Sequence, residues 1–289
     1  MKKKFAVLGD PIDHSWSPII QKLFAEQFNL SFEYEKIKVV KGSLGNSINE
    51  LISKSFSGCN ITVPLKQEAY ELSIENKWTI SKRAFNAKAV NTLCFSKDNF
   101  LADNTDGVGL FRDLNRHGLS KTKDAKVLII GAGGAVRGIL PMFSKDKFLN
   151  VSIVNRSDRN LQLLSKVFKS DLFEYIKIDN FYAKYPNSVD IEFPCPMFDL
   201  IINATSASVS GDEIKISKSI FLECPLIVDL FYSSAPTAFM DFALNSGGLK
   251  VIDGLGMLVE QAAESFHIWT ENRPSVDEVI SNVRFLMSK

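Results

Sequence analysis

Lys126-Val127-Leu128-Ile129-Ile130-Gly131-Ala132-Gly133-Gly134-Ala135-Val136 is the stretch that decides the fold. Val127 to Ile130 are aliphatic and unbroken by charge, the pattern of a strand buried on both faces of a parallel sheet. Such a strand running into a glycine turn opens a dinucleotide site. Gly131 makes the tight turn, Gly133 lets backbone N–H groups approach a pyrophosphate, and the next helix presents its N-terminus to that anion. The third glycine of a G-x-G-x-x-G pattern is replaced by Val136, and glycine turns between strand and helix also occur without a ligand. A second apolar run, Val151 to Val154, leads into Asn155-Arg156-Ser157. About 20 residues beyond the first glycine, an NAD site carries Asp or Glu for the ribose 2′-hydroxyl. Arginine in its place favours a 2′-phosphate, so the expected cofactor is NADP(H), with Arg156 stacking on adenine or pairing with phosphate. Taken alone, Arg156 also reads as a surface residue at a strand end.

Outside this unit, composition narrows the field. At 289 residues the chain is long enough for two domains and a sizeable core. A formal net charge of +1, with dispersed lysines and arginines, gives no electrostatic case for nucleic acid or a membrane surface. The partners expected are small anions. Cys59, Cys94, Cys195 and Cys224 are far apart without a C-x-x-C pair, and His14, His117 and His267 have no metal-ligand spacing, so no metal is expected and a reducing cytoplasm fits. No apolar run is long enough to span a bilayer. Met1-Lys2-Lys3-Lys4 precedes only Phe5 to Leu8 before Gly9-Asp10-Pro11, which reads as a first strand and not an export signal.

Working along the chain, Ser17 and Pro18 read as N-cap and first position of a helix through Phe28, with Ile20, Phe24 and Phe28 on one face. Ser15 and Ser17 then sit in a turn at the carboxyl end of a strand, where ligands bind in open α/β sheets. Capping by itself also accounts for Ser17. A strand is expected over Phe32 to Val39, and a helix over Ser43 to Lys54 with Leu44, Ile48, Leu51 and Ile52 inward. In Gly58 to Lys66 a strand stops at Pro64, and Lys66 begins a helix. A cation there opposes the helix dipole by about 0.3–1 kcal/mol, so it is either fully solvated or engaged. Ala89 to Leu93 begins another strand, and Asp106 reads as the N-cap of a helix from Val108 to about His117. Asp179 to Met197 reads as irregular surface structure. Asp199 to Ala204 and Leu226 to Leu230 are buried strands whose ends, Asn203-Ala204-Thr205-Ser206 and Tyr232, share the edge of the glycine loop. A helix follows Asp253-Gly254-Leu255-Gly256, with Met257 and Gln261 on one face and Leu258, Ala262 and Trp269 inward. The last helix is expected to start at Ser275, Glu278 completing a capping box.

These pieces, in order, resemble the shikimate dehydrogenase family over the whole chain: GDPIDHSWSP (9–18), GCNITVPLK (58–66), AVNTL (89–93), NTDGVG (104–109), GAGGA (131–135), NRS (155–157), NATSAS (203–208), DLFY (229–232) and DGLGMLVEQAA (253–263). The resemblance implies an α/β substrate domain over residues 1–106, a Rossmann-type NADP-binding domain over 107–248, and C-terminal helices over 249–289 that return to the substrate domain. It implies NADP-dependent, reversible reduction of 3-dehydroshikimate to shikimate in aromatic amino acid biosynthesis, by a cytoplasmic monomer or homodimer. By similarity, Ser15, Ser17, Thr62, Asn91, Tyr232 and Gln261 hold the carboxylate and hydroxyls of shikimate, and Lys66 with Asp106 carries the proton. Gly131, Ala132, Gly133, Gly134, Ala135, Asn155, Arg156, Ser157, Asn203, Thr205, Leu230, Gly254 and Met257 are the implied cofactor contacts. The chain departs from the family pattern at Gln21-Lys22, usually His-Asn, at Lys88, usually glycine, and at Val136. Arg159 is near the position of a second basic residue that the family often uses for the 2′-phosphate, without clearly matching it, so the NADP preference rests mainly on Arg156. The alternatives are a quinate/shikimate dehydrogenase with relaxed substrate choice and NAD use, or a non-catalytic dinucleotide sensor, which would be expected to lose Lys66 or Asp106.

Overall fold

The computed structural model describes residues 3–96, 100–119, 124–143, 148–185, 197–205 and 216–289. The strands are β1 (Lys3–Gly9), β2 (Phe32–Lys38), β3 (Gly58–Ile61), β4 (Thr79–Ile80), β5 (Thr92–Cys94), β6 (Leu101–Asp103), β7 (Ala125–Ile130), β8 (Phe148–Asn155), β9 (Phe173–Lys177), β10 (Leu200–Asn203), β11 (Leu226–Asp229) and β12 (Val251–Asp253). The helices are α1 (Ser17–Gln27), α2 (Leu44–Ser53), α3 (Lys66–Glu75), α4 (Lys82–Ala87), α5 (Asp106–Arg116), α6 (Gly134–Ile139), α7 (Asp158–Val167), α8 (Ile178–Lys184), α9 (Ala238–Asn245), α10 (Leu255–Thr270) and α11 (Asp277–Met287). They form two compact units, Met1–Leu110 with Met257–Met287, and Phe111–Gly256.

The first unit carries a six-stranded sheet in the order β2-β1-β3-β5-β6-β4. β1 runs parallel to β2 and β3, while β5 is antiparallel to both β3 and β6. Phe5, Ala6, Val7 and Leu8 are all buried, as an uninterrupted apolar run in a covered central strand requires. Leu44, Ile48 and Leu51 of α2 join Leu8, Ile61, Leu65 and Leu93 in one core. The C-terminal helices belong here physically. Trp269 of α10 stacks on Phe5 at 4.5 Å and donates from its indole Nε1 to the Leu93 carbonyl at 2.9 Å. A Cβ at Gly58 would strike that indole.

The second unit carries a six-stranded sheet, β12-β11-β10-β7-β8-β9. Every pairing in it is parallel. From β7 the chain builds outward through β8 to β9, then crosses back to β10 on the other side of β7. That reversal places a crevice at the carboxyl ends of β7 and β10, the position at which open α/β sheets bind ligands.

Some local expectations are corrected. Ser17 is the first residue of α1, with Trp16 as N-cap, and its side chain makes no cap bond. Ile52 lies on the outer face of α2 at 38% exposure. Part of the stretch read as irregular is α8, whose Phe181 is fully buried, and residues 186–196 lie outside the described residues. The last helix begins at Asp277, because the Ser275 backbone is instead clamped by the Gln27 side chain, N–H to Oε1 at 2.8 Å and Nε2 to the carbonyl at 2.9 Å.

Candidate functional site

Within the first unit, Lys66 opens α3 and Asp106 opens α5. The lysine at a helix N-terminus is engaged, not solvated. Its Nζ donates to both carboxylate oxygens of Asp106, at 2.9 and 2.7 Å, with the two side chains only 20% and 4% exposed. Asp106 is in turn favourably placed, since a carboxylate suits the positive end of a helix dipole. Its own backbone N–H donates to Asn104 Oδ1 at 3.1 Å. Asn91 Nδ2 donates to Asp106 Oδ1 at 2.8 Å, Thr105 Oγ1 at 2.9 Å and Gln261 Oε1 at 3.0 Å, while Asn91 Oδ1 accepts the Thr105 N–H at 2.9 Å. The Val90 N–H donates to the Lys66 carbonyl at 2.8 Å. Residues from four sequence regions are thereby tied into one polar cluster around the Asp106 carboxylate and Lys66 Nζ.

The serines form a neighbouring group. Ser15 donates to Ser17 Oγ at 3.2 Å, and the Ser17 N–H donates back to Ser15 Oγ at 3.3 Å. The pKa of the Tyr34 phenol is held well above its ordinary value by burial and then by Cys59, against a smaller opposing effect of the Ser17 side chain. Tyr34 donates to Asn60 Oδ1 at 2.7 Å, and Asn60 Nδ2 donates to the Asn91 carbonyl at 3.1 Å. Thus a hydrogen-bonded path runs from Tyr34 through Asn60 and Asn91 to the Lys66–Asp106 pair. Thr62, half-buried, follows β3 at the same carboxyl edge, its N–H donating to the Leu8 carbonyl at 2.9 Å.

Charged residues support this cluster from outside. Arg83 grips Asp103 with Nε and Nη2, both at 2.7 Å, and reaches Glu264 with Nη1 at 2.9 Å. Asp103 Oδ1 also accepts the Asn104 N–H at 2.7 Å, so the fork braces the loop that delivers Asp106. Tyr34, Asn60, Arg83, Asp103, Asn104 and Thr105 were not identified from sequence. Asn104 and Thr105 lie inside the NTDG motif, and their near-complete burial is what a polar pair in such a loop signals only once the fold is known.

In the second unit, Gly131 has φ +115°, and a Cβ there would meet the Ala204 backbone at 2.9 Å. Glycine is required on both counts. Gly133 and Gly134 are exposed, with nothing within 4 Å of an added Cβ, which leaves the loop backbone approachable. Ala132 lies in the loop and Ala135 in the first turn of α6. Val136, the departure in the third glycine position, is fully buried and packs in the core. Asn155 Nδ2 donates to the Ser157 carbonyl at 2.9 Å, and Arg156 and Ser157 are exposed. On the other side of β7, Asn203 Oδ1 accepts from the Thr205 N–H at 3.1 Å and hydroxyl at 2.8 Å. Buried Asp229 accepts from Asn203 Nδ2 at 3.0 Å, the Phe231 N–H at 3.2 Å and Thr237 Oγ1 at 2.6 Å, fixing the loops after β10 and β11 together. Leu230 donates its N–H to the Asn203 carbonyl, and a Cβ at Gly254 would strike the Leu230 carbonyl. Tyr232 is half-buried, and burial raises its phenol pKa. Tyr232 belongs to this unit, whereas half-buried Met257, in the first turn of α10, belongs to the first. The cradle fits a dinucleotide: a glycine that cannot be replaced, two open glycines, and after β8 an exposed arginine where the sequence pattern of an NAD site carries an acid. Among the described residues no His, Cys, Asp or Glu cluster has metal-binding geometry, and no helix is long and apolar enough to cross a membrane.

Comparison with known proteins gives a consistent result along the chain. Residues 7–93 match the shikimate dehydrogenase substrate-binding domain, 113–221 the shikimate/quinate 5-dehydrogenase family, and 254–284 the shikimate 5′-dehydrogenase C-terminal domain. The chain is 40% identical over 291 residues to the shikimate dehydrogenase (NADP(+)) of Hydrogenovibrio crunogenus, covering 99% of each chain. Among solved structures, it is similar to an Ael1 enzyme from Pseudomonas putida at a TM-score of 0.84 and 33% identity, covering 97% of this chain and 98% of the other. A shikimate dehydrogenase in complex with NADP+ is similar at a TM-score of 0.83 and 27% identity, with 100% and 96% covered.

Proposed function

The chain belongs to the shikimate dehydrogenase family, and from that premise we infer that it catalyses the reversible NADP-dependent reduction of 3-dehydroshikimate to shikimate, a step of aromatic amino acid biosynthesis. The observation that carries this reading is the Lys66–Asp106 pair, bonded at 2.7 Å and hydrogen-bonded to Asn91. NADP(H), when bound, supplies or accepts the hydride. Hydride leaves a secondary alcohol carbon only as the hydroxyl proton is removed, and in the reverse direction the carbonyl oxygen must gain a proton. Lys66 Nζ takes or gives that proton. Asp106 aims the amine and stabilises the ammonium formed when the alcohol is oxidised. Asn91 and Gln261 contribute amide groups for the ring hydroxyls, with Thr62 as a further contact, and Ser15 and Ser17 bind the carboxylate.

On this reading the first unit is the substrate domain and the second holds NADP. Gly131 to Ala135 cradle the pyrophosphate, Asn155, Arg156 and Ser157 take the adenosine end with its 2′-phosphate, and Asn203, Thr205, Leu230 and Gly254 face the remainder. The free thiols Cys59 and Cys224, both buried, suit a reducing cytoplasm, and the assembly is a monomer or homodimer. A sensor that binds dinucleotide without chemistry is disfavoured by an intact, mutually bonded Lys66–Asp106 pair. Initial rates of the full chain with shikimate and quinate, each with NADP and NAD, test the assignment. NADPH formation from shikimate as the fastest of the four supports it. No NADPH formation, or preference for quinate with NAD, sinks it.

A further inference from the structure

β9 lies beside β8 in parallel register, and the last residues of the two strands, Asn155 and Lys177, are partners. Adjacent strands are about 4.8 Å apart, so Lys177 stands next to the turn that begins Asn155-Arg156. Its Nζ is bonded to Asp179 Oδ2 at 2.8 Å, with the side chains 47% and 70% exposed. Arg156 and Arg159 follow Asn155 in the chain, and the acidic residues acting on Lys177 are Asp179 and, more weakly, Asp158. Asp158 is itself engaged, its Oδ2 accepting from Gln162 Nε2 at 2.6 Å. No acidic partner is seen for Arg156 or Arg159 among the described residues.

A phosphate monoester brings close to two negative charges and three acceptor oxygens. One guanidinium fork satisfies two oxygens in a plane and leaves the third facing outward. A lysine on the neighbouring strand end supplies a compact charge on a flexible stem suited to that remaining oxygen. The exposed Lys177–Asp179 pair is weakly held, as surface ion pairs are, and a dianion in reach outcompetes a single carboxylate for the ammonium. We propose that Lys177 is a further specificity-determining residue for the 2′-phosphate of NADP, exchanging Asp179 for the phosphate when the cofactor binds. Asp179 sets the preference from the opposite direction, by competing for the same ammonium. The inference rests on the reading that Arg156 marks the 2′-phosphate position.

The test is titration of NADP and NAD against the full chain, by quenching of intrinsic fluorescence, for the wild type, Lys177→Gln, Lys177→Arg, Asp179→Asn and Arg156→Asp. Lys177→Gln should raise the Kd for NADP about three- to ten-fold and leave that for NAD unchanged. Lys177→Arg should retain most of the wild-type affinity. Asp179→Asn should tighten NADP about two- to five-fold, again without effect on NAD. Both side chains are exposed, so the variants fold. Equal shifts for NADP and NAD, or no shift in Lys177→Gln while Arg156→Asp loses NADP, overturns the role of Lys177 alone. Failure of the wild type to prefer NADP over NAD overturns the underlying reading as well.

Discussion

Reversing the charge at residue 156 gives a magnitude that the structure bounds. Arg156 is exposed, so its interaction with a phosphate runs through a dielectric near that of water, about 1 kcal/mol for each pair of unit charges at ~4 Å. Arg156→Asp changes the local charge by two units against a group carrying nearly two, which sets an upper value of ~4 kcal/mol before screening. At physiological ionic strength the screening length is about 8 Å, and the loss becomes ~1.5–3 kcal/mol. The KM for NADP should therefore rise by about one to two orders of magnitude. NAD has no 2′-phosphate, and the new carboxylate can accept from its ribose hydroxyl, so the KM for NAD should stay the same or fall. Initial rates with both cofactors at low and high salt provide the assay, and the NADP penalty should shrink as salt rises. Unchanged NADP affinity, or an equal loss with NAD, would refute the assignment of Arg156 to the phosphate.

Other consequences are equally concrete. Asp106→Asn puts an amide where Lys66 Nζ now has two carboxylate partners, so kcat should fall; because the pair acts as a unit, the double variant with Lys66→Met should be scarcely slower than the poorer single, whereas multiplicative losses in kcat would show that the residues have separate roles. Lys88 ends α4 in the left-handed conformation, φ 51°, with Nζ on the Tyr70 hydroxyl at 2.9 Å and 3.6 Å from the Phe85 ring centre. Lys88→Ala loses those contacts and keeps the strain, so it should be about 1 kcal/mol less stable than Lys88→Gly in urea unfolding; equal stabilities would mean the backbone strain is negligible. Burial pushes the Cys224 thiol up to about 12. The unfolded thiol ionises from about 8.5, so the native state binds more protons above that pH, and stability is lost at about 1.4 kcal/mol per pH unit until the folded pKa is reached. Cys224→Ala should flatten the stability profile between roughly pH 8.5 and 10 by that slope, and an unchanged slope would contradict the burial argument.

How far the fold was legible follows from where its signals are local. β7, the Gly131 turn and β8 were readable because an all-apolar run and a mandatory glycine are properties of adjacent residues. Asp106 and Lys66 were each ambiguous alone, since a cap and a surface lysine explain them equally well. Their pairing depends on contacts between α3 and α5, and sequence distance carries no trace of it. The same holds for Tyr34 and Asn60, whose hydrogen bonds cross from β2 to β3 to the loop before β5. Lys177 was overlooked for a related reason. Its relation to Asn155 is one of strand register, which appears only when β9 is laid beside β8. Ser17 and Ser275 show the converse error. Both have the residue type of an N-cap, but the chain before α1 reaches helical geometry at Trp16, and Gln27 supplies the backbone partners at Ser275. Phe181 made α8 a helix where proline content nearby suggested irregular structure, because its burial outweighs weak local propensity.

The central claim is that a part-buried lysine, held by Asp106, moves the proton during hydride transfer. The most direct measurement is kcat for NADPH formation from shikimate by Lys66→Met, beside the KM for shikimate. Because the interaction matters more in the transition state than in the ground state, kcat should fall by ~10²–10⁴ with little change in KM. A variant that keeps wild-type kcat, or that raises KM alone, would contradict the account and return Lys66 to the role of a binding or surface residue.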